Sequence, residues 1–272
     1  MVNLIDIEDP ADARLAEYQS VHEGRRRKEA DRDWFLCEGV LLVERLLDSD
    51  LPVRSLLITP GKLDRLRPLL RGDDLDVFVA PQDVLNATVG FNMHRGAIAS
   101  AGRREAVPVK DLLAASQTVA VLEGINDHEN LGAIFRSALA LGIDAVLLDQ
   151  TSGDPYYRRT VRVSMGAAFT LPFARLGGAE NLFELLDGAG YVSIALTPDP
   201  GATSVSRVKL APGTSAALLL GAEGDGLRPE TLRAATMRVR IPIRPGVDSL
   251  NVGHAAAVAF HRFGSVDNQS VV

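Results

Sequence analysis

Residues 244–261, RPGVDSLNVGHAAAVAFH, begin as a loop and end as a helix of small and apolar side chains. They directly follow residues 238–243, RVRIPI, whose apolar and β-branched side chains are typical of a strand. Ser249 and Asn251 stand where the helix starts, and either could cap it by accepting a backbone N–H hydrogen bond. A cap needs only one of them, so we expect the other to have a further role.

Outward from this stretch, short apolar runs alternate with segments of helical periodicity. TVAVLEGI, AVLLD, YVSIALT and SAALLLG are predicted strands that are almost entirely apolar, as in a parallel sheet covered on both faces. The first 105 residues show the same alternation after a polar helix predicted over residues 10–30. The fold class that follows is α/β.

Two further loops follow predicted strands. NDHENLGAIFRSA (residues 126–138) contains Asn130, a candidate helix cap, and Arg136, whose guanidinium could bind a phosphate or carboxylate through two parallel hydrogen bonds. GAEGDGLRPE (residues 221–230) places Glu223 among glycines, and its acidic residues argue against a pyrophosphate ligand. Ligands of open parallel sheets bind beyond the carboxyl ends of strands, so these loops could form one site. Taken singly, each could equally be a capped helix or a turn.

Composition limits the alternatives. The 272 residues suit two domains, and the net charge of −6 argues against an extended nucleic-acid surface but leaves room for a local basic patch. The single cysteine, Cys37, excludes an internal disulfide and a zinc site built on a cysteine cluster. No signal peptide and no apolar run of about 20 residues is present, so we expect a cytoplasmic protein.

The three loops, in this order, resemble the three motifs of the SpoU family of RNA ribose 2′-O-methyltransferases, part of the SPOUT class. The matching stretches are NLGAIFR, LLLGAEGDGL and IPIRPGVDSLNVGHAAAVAFH, and SGDPYYRRTVRVSMGA between them is also similar. The resemblance covers about residues 118–263 and implies an α/β trefoil-knot domain with a mostly parallel sheet. It further implies S-adenosylmethionine as the cofactor, no metal, and a homodimer.

The N-terminal part is similar to the ribosomal-protein-like substrate-binding domain often fused to this family, through FLCEGVLLVERLL and HRGAIAS. The implied domains are a smaller α/β RNA-binding domain (residues 1–105), a linker (106–116) and the methyltransferase domain (117–272). Five basic residues are candidates for RNA binding: Arg25, Arg26, Arg27, Lys28 and Arg95. The same residues could equally form a solvated helix face.

The resemblance also implies roles for single residues. The catalytic set would be Arg136, Asn130, Glu223, Ser249 and Asn251, and the cofactor would be held by Thr197, Gly221, Ile241 and Leu250. The reaction would transfer a methyl group from S-adenosylmethionine to a ribose 2′-hydroxyl of RNA, with 23S ribosomal RNA favoured. Because a guanidinium stays protonated in proteins, we interpret Arg136 as a clamp on an RNA phosphate and not as the general base.

Three alternatives stay open at this point. The first is a tRNA 2′-O-methyltransferase, and the second is a non-catalytic RNA-binding protein, against which the complete set of motif residues argues. The third is a nucleotide-dependent oxidoreductase, suggested by the α/β pattern and the glycines. The missing G-x-G-x-x-G fingerprint argues against this third alternative.

Overall fold

The structure is a computed structural model that describes residues 2–20, 32–71, 74–94, 96–178 and 181–265. The N-terminal part contains β1 (Asn3–Asp6), β2 (Trp34–Glu38), α1 (Val40–Leu47), β3 (Val53–Ile58), α2 (Pro60–Leu66), β4 (Asp76–Val79), α3 (Gln82–Val89) and β5 (Ala97–Gly102). The chain continues through α4 (Val109–Ala114), β6 (Thr118–Glu123), α5 (His128–Ala140), β7 (Ala145–Leu148), α6 (Arg158–Val163), β8 (Phe173–Arg175), α7 (Leu182–Gly188), β9 (Val192–Leu196), β10 (Thr203–Ser204), β11 (Ala216–Gly221), α8 (Pro229–Ala234), β12 (Met237–Arg240) and α9 (Val252–Phe263).

Residue contacts divide the chain into two compact units. The first unit comprises Met1–Glu105 together with Tyr156–Thr170, and the second unit comprises Ala106–Pro155 together with Leu171–Val272. The chain therefore passes from one unit to the other at three places.

The first unit is built on a five-stranded sheet in the order β1-β4-β3-β5-β2, with β5 antiparallel to both of its neighbours. Its core includes the fully or almost fully buried Leu57, Phe78 and Leu85. The helix predicted over residues 10–30 is wrong for the described part, which forms two 3-10 turns. Asp12 accepts the backbone N–H of Arg14 at 2.9 Å, and this local hydrogen bond competes with a regular helix. Residues 21–31 lie outside the described residues.

The segment 156–170 belongs to the first unit although it lies between motifs of the C-terminal part. The buried Glu38 on β2 accepts from Arg158 at 3.0 Å and from Arg162 at 3.3 Å, both on α6. The rings of Phe35 and Tyr156 stack with their centroids 4.5 Å apart. Ion pairs to the buried Glu38 and stacked rings therefore attach this segment to the core of the first unit.

The second unit is built on a seven-stranded sheet in the order β10-β12-β9-β11-β6-β7-β8, with every pairing parallel. Every residue of β6 and β7 is buried, which confirms the predicted strands of a parallel sheet covered on both faces. The stretch 106–116, expected as a linker, contains α4, because Val109, Leu112 and Leu113 share one helical face that packs into the core.

The chain returns from β12 to place α9 beside α5. A Cβ on Gly253 of α9 would lie 3.2 Å from that of Ala133 on α5, so only a small residue allows this close packing. The trefoil knot expected from the resemblance depends on how this return connection is threaded. None of the helices in the described ranges is long and apolar enough to cross a membrane.

Candidate active site

The second unit has a cavity of about 360 Å³ beyond the carboxyl ends of β9, β11 and β12. Residues of three segments line it: 196–198, 220–226 and 239–255. Its walls are mainly apolar, as in Leu196, Leu220 and Ile241, and Glu223 lies among them. Within the described part of the chain, no lysine or arginine lines this cavity. The cavity therefore suits an uncharged or cationic organic ligand better than a phosphate.

The structure brings most of the predicted site residues to this cavity. The four residues expected to hold the cofactor all line it, namely Thr197, Gly221, Ile241 and Leu250. Glu223, Ser249 and Asn251 of the expected catalytic set line it as well. The three contributing strands are neighbours in the sheet, in the order β12-β9-β11, and the loop after the middle strand, β9, supplies Thr197.

Gly221 ends β11 where the chain folds back on itself. A Cβ on Gly221 would overlap the backbone of Gly226 and Leu227. The Gly226 N–H donates to the Ala222 carbonyl at 3.0 Å, and Gly224 and Gly226 have φ of 89° and 70°. This stretch therefore forms a tight turn that only glycines allow, and the turn makes one wall of the cavity.

Asn251 both caps α9 and joins two of the loops. Its Oδ1 accepts the backbone N–H of Gly253 at 2.9 Å, so Asn251, and not Ser249, is the cap. Its Nδ2 donates to Asn130 Oδ1 at 2.7 Å and to Glu223 Oε1 at 2.6 Å. One amide side chain thus ties the starts of α5 and α9 to the turn after β11.

Asn130 does not cap α5, contrary to the prediction. The cap is Asp127, whose Oδ1 accepts the N–H groups of Glu129 and Asn130, both at 2.9 Å. A carboxylate at the helix start is also favoured by the helix dipole. The Asn130 side chain, buried to 8% exposure, is left to accept from Asn251.

Arg136 lies away from the cavity lining. It is exposed on α5, six residues beyond Asn130, and it is not among the described residues that line the cavity. A guanidinium in this position can meet an anion that arrives from solvent or a group on a second protein chain. The expected RNA-binding residues Arg25, Arg26, Arg27, Lys28 and Arg95 lie outside the described residues.

Glu123 is a residue of the site region that the sequence analysis missed. It ends β6, is 7% exposed, and accepts from the backbone N–H of Arg228 at 2.6 Å and from Thr231 Oγ1 at 2.6 Å. Its ion pair with Arg228, at 2.9 Å, raises the pKa of that guanidinium. Glu123 thereby fixes the start of α8, directly after the glycine turn. The available signal was an acidic residue at the end of an otherwise apolar strand.

Asp149 organises the loop after β7. Burial opposes its ionisation, but hydrogen bonds from Ser152, Thr151 and the Gly124 N–H keep the pKa of its carboxyl below the ordinary value. Arg175 donates to the carbonyl oxygens of this loop. The loop after β6, which leads to Asp127, is thereby held in place.

We expect Asp149→Asn to lower the free energy of unfolding by about 1 kcal/mol at neutral pH, since an amide cannot accept all of these hydrogen bonds. Because the pKa of Asp149 is lower in the folded than in the unfolded protein, its ionised carboxyl stabilises the fold. This stabilisation is complete above the unfolded pKa of about 3.9 and is lost as the pH falls through the folded pKa. Denaturant unfolding should therefore give a constant difference from about pH 5 to 7 that shrinks below about pH 4. Asp187→Asn, an exposed position on α7, is the control. An unchanged difference at low pH would contradict the assignment.

The fold and cavity together define a class, that of α/β enzymes that bind an organic cofactor beyond the carboxyl ends of parallel strands. The model of the SpoU rRNA Methylase family matches residues 117–261. The chain belongs to the SpoU rRNA methylase family, and it is an RNA methyltransferase.

Individual relatives agree with this assignment. An uncharacterized tRNA/rRNA methyltransferase of Mycobacterium tuberculosis is 41% identical over 259 residues, covering 94% of this chain and 90% of the relative. The 23S rRNA (guanosine-2′-O-)-methyltransferase of Vibrio vulnificus is 30% identical over 232 residues, covering 81% and 92%. The solved structure of the SpoU methyltransferase AviRb of Streptomyces viridochromogenes, in complex with the cofactor AdoMet, is similar with a TM-score of 0.77 at 25% identity, covering 92% and 97%.

Proposed function

We propose that the protein transfers the methyl group of S-adenosylmethionine to a ribose 2′-hydroxyl of 23S ribosomal RNA, in the cytoplasm. The observation that carries the proposal is that the second and third family motifs line one apolar cavity, while Asn130 of the first motif is joined to them through its hydrogen bond with Asn251. Relatives named as 23S rRNA methyltransferases support the choice of ribosomal RNA over tRNA, which is the alternative substrate.

The cavity residues fit this cofactor. Leu196, Leu220 and Ile241 offer apolar walls for an adenine, and Glu223 offers a carboxylate to a cationic group. The lack of basic side chains among the described lining residues agrees with a ligand that has no phosphate, which argues against an oxidoreductase with a dinucleotide. When bound, S-adenosylmethionine supplies an electrophilic methyl group on a sulfonium.

The chain's own residues would orient the RNA and its proton. Asn130 is a positioning residue, because its Oδ1 fixes the amide of Asn251. Asn251 in turn holds Glu223 against the cavity. Ser249 lines the cavity and is exposed, so its hydroxyl can bind a phosphate or relay the 2′-hydroxyl proton. Arg136 would clamp the adjacent phosphate through two parallel hydrogen bonds.

We also propose a homodimer built on α5 and α9. Leu139 on α5 and Val258 on α9 are large apolar residues that are 46% and 41% exposed, and these helices pack against each other. Leu250, 39% exposed, belongs to the cavity lining. A second copy covering these residues would meet Arg136, which lies three residues before Leu139 on the same exposed side of α5.

The direct test is methyl transfer from S-adenosylmethionine, labelled on the methyl group, to protein-free ribosomal RNA and tRNA, followed by mapping of the modified position. We expect the label in 23S rRNA at a linkage that resists alkaline cleavage, as a 2′-O-methyl group does. Label in tRNA would overturn the substrate assignment. Label on a base would overturn the ribose assignment, and transfer to neither RNA would overturn the enzymatic proposal.

Asn251→Asp tests the joining role of this amide. Aspartate keeps the cap of α9, but it removes the donor and places a second carboxylate against Glu223. We expect the affinity for S-adenosylmethionine, measured by calorimetry, to fall about 10-fold because the turn after β11 is repelled, with little change in stability.

Asn181→Asp is the matched control, since Asn181 caps α7 and donates to Glu184 at 3.0 Å in the same way outside the cavity. It should leave the affinity unchanged. Equal affinities of the two variants would show that the contact between Asn251 and Glu223 does not support the cofactor site.

A further inference from the structure

A shallow depression in the first unit is lined by three arginines and three aromatic residues. We call the group formed by Arg32, Trp34, Phe91, Arg103, Tyr156 and Arg158 the arginine–aromatic surface, of which all but Phe91 line the depression. The guanidinium carbon of Arg32 lies 4.5 Å from the ring centroid of Trp34, and that of Arg103 lies 5.4 Å from that of Tyr156. Arg158 lies over Phe91 at 5.2 Å. All three distances are within the range of cation–π contacts.

The charge of this surface is positive in an otherwise acidic chain. Among the residues that the structure describes, no carboxylate lines the depression. The buried Glu38 is shared by Arg158 and Arg162, so two cations meet one anion there. The exposed Asp33 has Arg54 within 3.8 Å. A lining with three arginines and no described carboxylate suits a polyanion.

The aromatic members add a second kind of contact. Phe91 is 37% exposed in the loop after α3, and Trp34 is half-buried on the edge strand β2. Aromatic rings and guanidinium planes are the groups on which unpaired nucleobases stack. The depression encloses only about 10 Å³, so a base would stack on its rim and would not be enclosed.

We propose that the arginine–aromatic surface binds an unpaired segment of the RNA substrate, with bases stacked on Phe91 and Trp34 and phosphates held by the arginines. The inference rests on the proposed function, because it takes RNA as the partner. It assigns RNA binding to β2, to the loop after α3 and to the segment 156–170, in addition to the basic run at residues 25–28.

The test uses the full chain and two variants, Phe91→Ala and Arg32→Gln, neither of which removes a fully buried side chain. The probes are a short single-stranded RNA and its duplex, with affinity measured by fluorescence anisotropy at several salt concentrations. We expect wild type to prefer the single strand and each variant to bind it about 10-fold more weakly. The salt slope should fall by about 0.7 for Arg32→Gln only, since this variant alone removes a phosphate contact.

Matched controls lie elsewhere in the first unit. Leu4→Ala removes an apolar side chain that is 48% exposed on β1, the opposite edge of the sheet from β2, and Arg67→Gln removes an exposed arginine. Both should bind RNA as wild type does. Equal binding of test and control variants, or equal affinity of wild type for single strand and duplex, would overturn the inference.

Methyl transfer separates this inference from the proposed function. With the RNA that wild type methylates, the two test variants should raise the KM for RNA about 10-fold and leave kcat and the affinity for S-adenosylmethionine unchanged. A lowered kcat with unchanged KM would overturn the inference but not the proposed function. Wild type that binds RNA on this surface and methylates no RNA would instead overturn the proposed function.

Discussion

Arg136→Ala is expected to lower the rate of methyl transfer about 1,000-fold while S-adenosylmethionine binds as before. The guanidinium is outside the cavity lining, so its loss leaves the cofactor site intact, and it is exposed, so the fold should tolerate the change. The expected size is that of removing a charged donor that acts on the reacting groups. Single-turnover kinetics measure the rate of methyl transfer, and calorimetry on the same preparation measures the affinity for S-adenosylmethionine.

Two controls define the role of Arg136. Arg136→Lys keeps the charge but cannot form two parallel hydrogen bonds, so we expect it to recover only part of the rate. Arg233→Ala removes an exposed arginine on α8 and should be fully active. Retained transfer by Arg136→Ala would remove this residue from the mechanism.

The proposed homodimer raises the question of whether Arg136 acts at the cavity of its own subunit or at that of the partner. Arg136 shares the exposed side of α5 with Leu139, so a partner docked there would bring Arg136 towards the partner's own cavity. Mixed dimers of Arg136→Ala with a variant that cannot bind cofactor would then regain activity, because one subunit keeps the cofactor and the other keeps the arginine. Inactive mixed dimers would place Arg136 with the cavity of its own subunit.

Gly221→Ala is expected to abolish measurable cofactor binding, a loss of more than about 100-fold in affinity, and to lower Tm. The added methyl would overlap the backbone of Gly226 and Leu227, and neither can move without opening the turn that walls the cavity. Differential scanning fluorimetry with and without S-adenosylmethionine measures both effects.

Gly188→Ala is the matched control for this substitution. Gly188 lies in α7 of the same unit, and a Cβ there would meet nothing within 4 Å. We expect a stability equal to or slightly above that of wild type, because alanine favours the helix. Normal cofactor binding by Gly221→Ala would mean that the turn can open without cost, contrary to the geometry.

The sequence predicted the strands better than the contacts of the site. The apolar runs at β6 and β7 are sufficient to predict these strands, because a strand buried on both faces consists almost entirely of apolar residues. Which of Ser249 and Asn251 caps α9 was undecided, since both residue types cap helices. Asn130 and Asp127, three residues apart, offer the same capping chemistry, and only the geometry shows that Asp127 is the cap.

Other parts of the site depend on contacts that are distant in sequence. Glu123 binds Arg228 and Thr231 across more than one hundred residues, a pairing that no local pattern reveals. Thr197 was expected only from the family resemblance, and its place at the cavity follows from β9 lying between β11 and β12. Periodicity finds elements, but the order of strands in a sheet decides which loops meet.

The chain crosses between its two units three times, and this limits how one unit can be lost or exchanged during evolution. A gene fragment encoding residues 106–272 would carry Tyr156 and Phe169, both almost fully buried, without Phe35, on which both rings pack. Loss or exchange of the N-terminal unit would therefore require compensating polar substitutions within residues 156–170. The N-terminal and C-terminal halves of this chain are therefore expected to evolve together as a pair and not as interchangeable modules.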